Sequence, residues 1–460
     1  MKRFFSQSYK HGLSIESLKG LKINPYLREP KPKTLLNPSS FLHSFVSKLL
    51  VHKDLQLIDL MTCSRSSLKA LALEKEVEED AQKLADSYLK EIISIGAYSH
   101  SKGIIKCREN LASYLSRRDA KEYHPKYIFM MENTLAGISL FLTTLKGGQK
   151  DAVIFERPIS PNYGRLAKHK QITPFYFDSE NDSTSMQNSL LVTLNEVKEQ
   201  GLNPKFLIIS HPNKVSGRLH TEEEIKFFLD LASKEKLTIF VDESSHQLAS
   251  EEEEFKSFFS MMRDQQLKKD TGLPQLVSIL TCSRSIFPEL GISGSAFHVA
   301  NFEEEVIEEL TKMCSISLCS STVGQVNTDF IFSHSIHYPD LQKPSIDLIE
   351  KEKKNNLNII SGNLRRLEKY CELAKFKMIP SPFGTSVLVK TNFSERNLSK
   401  FTNKDEPMKE YSEKMNTVRG IEFVPGSWLK MNDDCFKISK VFYDGDEVLR
   451  HMLTVHAEYF

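Results

Sequence analysis

The sequence predicts an α/β protein, with a large doubly wound, mostly parallel sheet and a smaller α+β domain after it. From Lys126 to about residue 300, short apolar runs alternate with amphipathic stretches, the rhythm of βαβ units. Beyond about residue 301 that rhythm gives way to a long charged helix and a few strand-like runs, the pattern of a second body joined through a helix. Between them lies Val277–Ser295, an apolar run ending in a polar, Gly-interrupted turn with Arg284 at its tip. It reads as a buried parallel strand delivering residues to a site.

Taken in order, residues 1–60 form an arm. Met1–His11 is basic, carries Ser and aromatic side chains, and no acid appears before Glu16, a composition suited to a mitochondrial import segment. Residues 23–38 are Pro-rich, and Ser40–Val51 shows helical spacing of Phe41, Phe45 and Leu49 and of Leu42, Val46 and Leu50. Such an arm packs on something rather than folding alone. Residues 61–330 are expected to form the large domain. Ser67–Ser94 reads as a long helix, with Glu74–Asp80 on its solvated face. Strands at Tyr127–Met131, Ala152–Phe155, Ile172–Phe177, Phe206–Ser210 and Leu237–Val241 alternate with helices at Leu135–Leu145, Leu190–Glu199 and Thr221–Lys234. Thr221-Glu222-Glu223-Glu224 reads as the capping box of the last of these. A helix at Glu303–Cys314 follows. The small domain, residues 331–460, should hold the long helix Ile346–Lys375 and strands at Ser386–Val389, Glu422–Val424 and Phe436–Val441.

At 460 residues, 40% hydrophobic and 26% charged, the chain can bury a sizeable core. A formal net charge of +1 with no basic stripe interleaved with aromatics argues against a nucleic-acid or anionic-membrane partner. No apolar run approaches the length of a transmembrane helix. Seven scattered cysteines without a CxxC pair argue against a disulfide framework and against zinc. His211, His246, His298, His334 and His337 have no HExxH-like or Cys-rich context and read as structural or surface histidines rather than metal ligands. Ser283 and Ser285 lack a visible base, and no G-x-S-x-G elbow is present.

Several segments, in unbroken order, resemble the alanine aminotransferase-like members of the class I/II, fold-type I pyridoxal-phosphate enzymes. Gly96-Ala97-Tyr98-Ser99-His100-Ser101-Lys102-Gly103-Ile104 is similar to the family's Gly-Ala-Tyr-Ser-x-Ser-x-Gly-Ile loop, and Arg117-Arg118-Asp119 to its Arg-Arg-Asp helix end. Leu318-Cys319 with Gly324-Gln325, and Val424-Pro425-Gly426-Ser427, resemble further signatures. The resemblance covers roughly residues 60 to 460 and implies a two-domain aminotransferase fold.

The same resemblance implies where the chemistry should lie, and there the chain departs. The Schiff-base lysine position falls at Arg284, beside Ser283, and the phosphate-gripping arginine at Ser293. A guanidinium stays charged at any physiological pH, so Arg284 cannot attack an aldehyde as a neutral amine does. The phosphate cup at a helix N-terminus becomes Asn133-Thr134-Leu135. The stacking tyrosine falls at Ser160, the ring-hydroxyl partners at Lys214 and Ser245, and the substrate-carboxylate arginine at Ser439, between Lys437 and Lys440. Asp242 alone survives, where the family's aspartate pairs with the pyridine nitrogen; Arg284 across the cleft is a candidate partner for it.

Charge-assisted contacts are worth roughly 1.5–3 kcal/mol each, so losses on this scale remove on the order of 5 kcal/mol of cofactor binding. The reading is therefore a pseudoenzyme without cofactor, an accessory subunit of a mitochondrial assembly such as a respiratory-chain complex. Its partners would be other protein subunits, with a homodimer or pseudo-dimer through the large domain. The alternative is an active or altered pyridoxal-phosphate-dependent aminotransferase, moving an amino group between an amino acid and a 2-oxo acid with Lys214 as its amine. A third reading, a small-ligand binder using the old cleft, is opposed by Trp428 and Lys430, which would narrow it.

Overall fold

The computed structural model of the protein describes residues 39–42, 75–92, 96–179, 182–248, 255–266, 272–287, 293–391, 395–416, 421, 423–431, 434–441 and 445–459. All of these belong to the unit Leu36–Phe460. The import-like start, the Pro-rich arm and most of the Ser40–Val51 helix lie outside the described residues.

The large sheet has seven strands: β1 Ile128–Met131, β2 Asp151–Arg157, β3 Thr173–Asp178, β4 Asn203–Ser210, β5 Thr238–Asp242, β6 Gln275–Thr281 and β7 Ser295–Ala300, in the order β1-β7-β6-β5-β4-β2-β3. β3, β2, β4, β5 and β6 pair in parallel, and β7 runs antiparallel between β6 and β1. The expected mostly parallel sheet is therefore present. β7 was not expected as a strand: it returns from the turn after β6 without a crossover helix, and a return that short can only run antiparallel.

Thirteen helices are described: α1 Lys75–Leu89, α2 Ile105–Asp119, α3 Thr134–Leu145, α4 Pro161–His169, α5 Ser183–Glu199, α6 Glu222–Glu235, α7 Phe258–Gln266, α8 Glu304–Ile316, α9 Thr322–Ser333, α10 Lys343–Ala374, α11 Glu395–Leu398, α12 Pro407–Met415 and α13 Gly445–Tyr459. Strand residues alternate between two cores. Phe206, Ile208, Phe240, Val277 and Phe297 pack under α3, α4 and α8. Leu207, Ile209, Ile239, Val241 and Leu276 pack under α2, α5, α6, α7 and α9. With both faces covered, the strands read as continuous apolar runs. Helix starts are set locally: Asn133, Ser160, Asp182 and Thr221 each accept a backbone N–H as N-cap, and Thr221 and Glu224 form the full capping box. α9 escaped the sequence reading because eleven of its residues, polar ones such as Gln325 and Asp329 included, are buried, so no solvent-facing stripe gives it an amphipathic pattern.

The second sheet is antiparallel, with β8 Lys377–Met378, β9 Ser386–Lys390, β10 Phe423–Pro425 and β11 Cys435–Ser439 in the order β10-β11-β9-β8. Phe376, Tyr411, Phe423 and Phe436 pack edge-on and stacked beneath it. The only described piece of the arm packs on its own chain. Phe41 stacks on Phe330 with ring centroids 5.4 Å apart, and the Ser40 N–H donates to the Glu352 carboxylate at 2.9 Å. Of the six described cysteines, five are buried. Among the described residues no helix is long and apolar enough to cross a membrane.

A buried charge cluster fastens the ends of β2 and β4 to α6. His220 lies between Glu156, at 2.9 Å, and Glu224, at 3.3 Å, while Arg218 donates to Glu224 at 2.6 Å. Burial and the Arg218 guanidinium would lower the His220 value, but the two carboxylates outweigh them and hold it above the ordinary 6.5. A raised folded value means that the imidazolium stabilises the fold fully below 6.5, and that this contribution fades as pH climbs through the folded value. Denaturant titrations should therefore show wild type losing stability from pH 6 to 8 relative to His220→Gln. Parallel profiles for the two proteins would refute the charged-histidine assignment.

Candidate functional site

Parallel strands bring their C-terminal ends to one edge of the sheet, and the residues singled out by the sequence gather there. Asp242 is the last residue of β5, in register with Ser210 of β4 and Ile279 of β6, and is 3% exposed. Its Oδ1 accepts from the Ser244 N–H at 3.1 Å and from the Ser244 hydroxyl at 2.5 Å. Its Oδ2 forms an ion pair with the ammonium of Lys214. Lys214 therefore supplies a cation to Asp242. β4 and β5 are adjacent, and the turn leaving β4 carries Lys214 over the end of β5. Of the Arg284 side chain nothing is described.

A tight turn aims Lys214. Asn213 Oδ1 accepts from the N–H groups of Val215, at 2.9 Å, and Ser216, at 3.1 Å, and the Gly217 N–H donates to the Asn213 carbonyl at 2.8 Å. Gly217, at φ +73°, closes the turn where an added Cβ would lie 2.2 Å from the Phe383 carbonyl oxygen. Only glycine meets both demands.

Ser244 extends the arrangement to β6. Its hydroxyl donates to Asp242 and accepts from the Thr281 N–H at 2.8 Å. Thr281 ends β6 and leads into the helical turn Cys282–Arg284, which places Ser283 and the Arg284 backbone at this edge. The Gly294 carbonyl accepts from the Cys282 N–H and the Thr281 hydroxyl, both at 3.1 Å, bringing Ser293 beside the same turn; Ser293 itself is exposed. Ser245 is buried within the 243–248 turn. Ser160 caps α4, accepting from the Asn162 N–H at 3.4 Å, and is held near by Asn213, which donates to the Pro158 carbonyl at 3.5 Å. At the start of α3, Asn133 Oδ1 accepts the Ala136 N–H at 2.9 Å, so one of the N–H groups that could face an anion is bonded by the chain itself.

On β11, Phe436 and Ile438 occupy one face, which leaves Lys437 and Ser439 on the other by alternation. Lys437 is buried, and Ser439 is partly exposed. Lys440, just past the strand, is fully buried. The five histidines are deeply buried. Burial lowers them all, His246 and His298 to about 3, His334 and His337 to about 4, and His211 also well below the ordinary value. They sit in the core as neutral rings. Sequence reasoning missed Ser244, for which the only local signal was the Asp-x-Ser spacing, an ordinary turn pattern.

Two of the segments that carried the resemblance meet in space. Gln325 Oε1 accepts from the Ile104 N–H at 2.7 Å, and its Nε2 donates to the Ser99 hydroxyl at 3.1 Å and the Ser320 carbonyl at 2.8 Å, stitching the 96–104 loop to the start of α9. Arg118 lies between Asp119, at 2.7 Å, and Glu243, at 2.8 Å, all three buried or nearly so.

Comparison with known proteins agrees with this frame. The family profile "Aminotransferase class I and II" matches residues 68–439. The chain is 28% identical over 260 residues to the "Inactive alanine aminotransferase" of Saccharomyces cerevisiae, covering 55% of this chain and 51% of that one. It is 27% identical over 275 residues to "Alanine aminotransferase 1, mitochondrial" of Arabidopsis thaliana, covering 59% of this chain and 49% of that one. The matches thus span about half the length of these two relatives. The solved structure of an alanine aminotransferase from Pyrococcus furiosus superposes with a TM-score of 0.63 at 16% identity, over 81% of this chain and 87% of that one, a likeness of fold. From the profile match, the shared fold and the joined signature segments, the chain belongs to the class I and II aminotransferase family.

Proposed function

We propose that this chain is an aminotransferase scaffold that transfers no amino group and serves as a protein-binding subunit of a mitochondrial assembly. One observation carries the first half: the carboxylate of Asp242 already holds the Lys214 ammonium. In the family this carboxylate is the one implied to meet the ring nitrogen of pyridoxal phosphate, and two cations cannot share it in the same geometry. The surrounding positions point the same way. Arg284 offers no amine, Ser293 no guanidinium, and Ser160 no aromatic face. The residues present do not fit the cofactor as the family holds it, so no catalytic step is derived through it. An ammonium locked on a carboxylate is also not the free amine that a Schiff base requires, which weighs against Lys214 as a substitute.

The second half rests on the basic, acid-free start of the chain, on a family with members named as mitochondrial, and on a rigid frame that keeps its packing. Near-zero net charge favours protein over RNA as the partner. A division into a large domain, 61–330, and a small one, 331–460, and pairing through the large domain belong to the same proposal.

Three experiments test this. Incubation with pyridoxal phosphate, followed by absorbance scanning, borohydride trapping and peptide mapping, should give no aldimine band and no adduct, and Arg284→Lys alone should not create transamination; a trapped adduct at Lys214 would establish the altered-enzyme reading instead. Lys214→Met should cost about 3 kcal/mol in urea unfolding, because it strands the Asp242 carboxylate, and adding Asp242→Asn should recover most of that loss. An unchanged midpoint for Lys214→Met would remove the ion pair as the site's organiser. Organelle fractionation and native gels should place the protein in a large mitochondrial complex, and migration only as a free dimer, or a cytosolic signal, would overturn that assignment.

A further inference from the structure

We propose that Lys440 is a latch, fastening the small sheet onto the turn that carries Lys214 and so positioning the Lys214–Asp242 ion pair. The geometry runs through one uncharged segment, residues 381–386. On one side, Lys440 takes three of its carbonyls. Its Nζ donates to Ser381 at 2.6 Å and Phe383 at 2.9 Å, and its backbone N–H donates to Thr385 at 2.7 Å. On the other side the segment grips the Lys214 turn. The Ser386 hydroxyl donates to the carbonyls of Lys214, at 3.2 Å, and Val215, at 2.9 Å, and the Phe383 N–H donates to the Gly217 carbonyl at 3.4 Å. The Gly384 N–H donates to the Leu248 carbonyl at 2.9 Å, joining the turn after Asp242 to the same clamp.

Lys440 is fully buried, and among the described residues its Nζ meets carbonyl oxygens rather than a carboxylate. A buried ammonium met only by dipoles is costly unless those dipoles are held in place, so the cation and the 381–386 segment fix each other. The charged groups around it are Glu368 on α10, whose field favours the ammonium, Lys437 on its own strand, and Lys214 beyond the segment it holds. Burial prevails and brings Lys440 down to about 7. The sign follows: the folded state sheds this proton near pH 7 while the unfolded chain keeps it until about 10.5, so the latch strengthens as pH rises through 7. The neutral amine keeps two N–H donors for the same two carbonyls. None of this depends on whether the chain binds pyridoxal phosphate.

The test is acylation of the full-length protein with an amine-reactive ester, read lysine by lysine by mass spectrometry, in wild type, Lys440→Met and Ser386→Ala. Both substitutions should raise the labelling rate of Lys214 several-fold, while Lys102, buried elsewhere with its Nζ on the Lys126 carbonyl at 2.5 Å, keeps its slow rate. If Lys440→Met also exposes Lys102, that variant has unfolded and Ser386→Ala decides alone. Unchanged Lys214 labelling in a folded variant overturns the latch. In urea titrations, the folding constant of wild type relative to Lys440→Met should rise with pH above 7, by at most about tenfold per unit. A pH-independent ratio would reduce Lys440 to a space-filling role and overturn the proposal equally.

Discussion

A carboxylate at the end of a strand buried on both faces must be met by a cation or by several donors, because an isolated charge there would be expelled or neutralised. Asp242 is that carboxylate, and it receives both. Lys214 brings the cation from the neighbouring strand's turn, and Ser244 brings a hydroxyl and an N–H from its own. Because the Ser244 hydroxyl also accepts from Thr281, the demand of one carboxylate fixes the tips of β4, β5 and β6 relative to one another. The Lys214 turn is in turn held by the 381–386 segment, so the small sheet is fastened to the large one at the same place.

This arrangement separates two properties that a shared fold usually joins. The frame of the class I and II aminotransferases persists because packing demands it. Gly294 and Gly324 approach so closely that a Cβ on Gly324 would lie 1.9 Å from the Ser293 carbonyl oxygen, and Gln325 satisfies three partners on two other segments. Such residues answer to close approach and buried hydrogen bonds, not to chemistry. At the strand ends the chain carries a serine, an asparagine and a lysine with structural work of their own. Ser160 caps a helix, Asn133 caps another, and Lys214 neutralises a carboxylate.

A formal charge of +1 conceals how much charge is inside. Arg118 with Asp119 and Glu243, and His220 with Glu156, Glu224 and Arg218, are buried clusters in which each sign is answered locally. Glu243 is pushed up to about 7 by burial despite its arginine, which shows how closely desolvation and pairing are balanced in these clusters. They lie under the turns at the ends of β2, β4 and β5 and give the site edge a rigid polar floor.

The sequence by itself determined what depends on neighbours along the chain. Apolar runs bounded by polar turns announced β2 to β6, the Thr221–Glu224 box announced α6, and the ordered family segments announced the topology. It missed β7 and α9 for opposite reasons: one is a short antiparallel return hidden in the continuation of a turn, the other is buried all round and shows no period. Of the site, Asp242 and Lys214 were each legible as positions, yet their meeting was not. Only the tertiary structure, by laying β4 beside β5 with Ser210 opposite Asp242, brings the next turn's lysine to the carboxylate. Lys440 is the same case at longer range, since its carbonyl partners lie more than fifty residues away and carry no side-chain signature for a sequence to display.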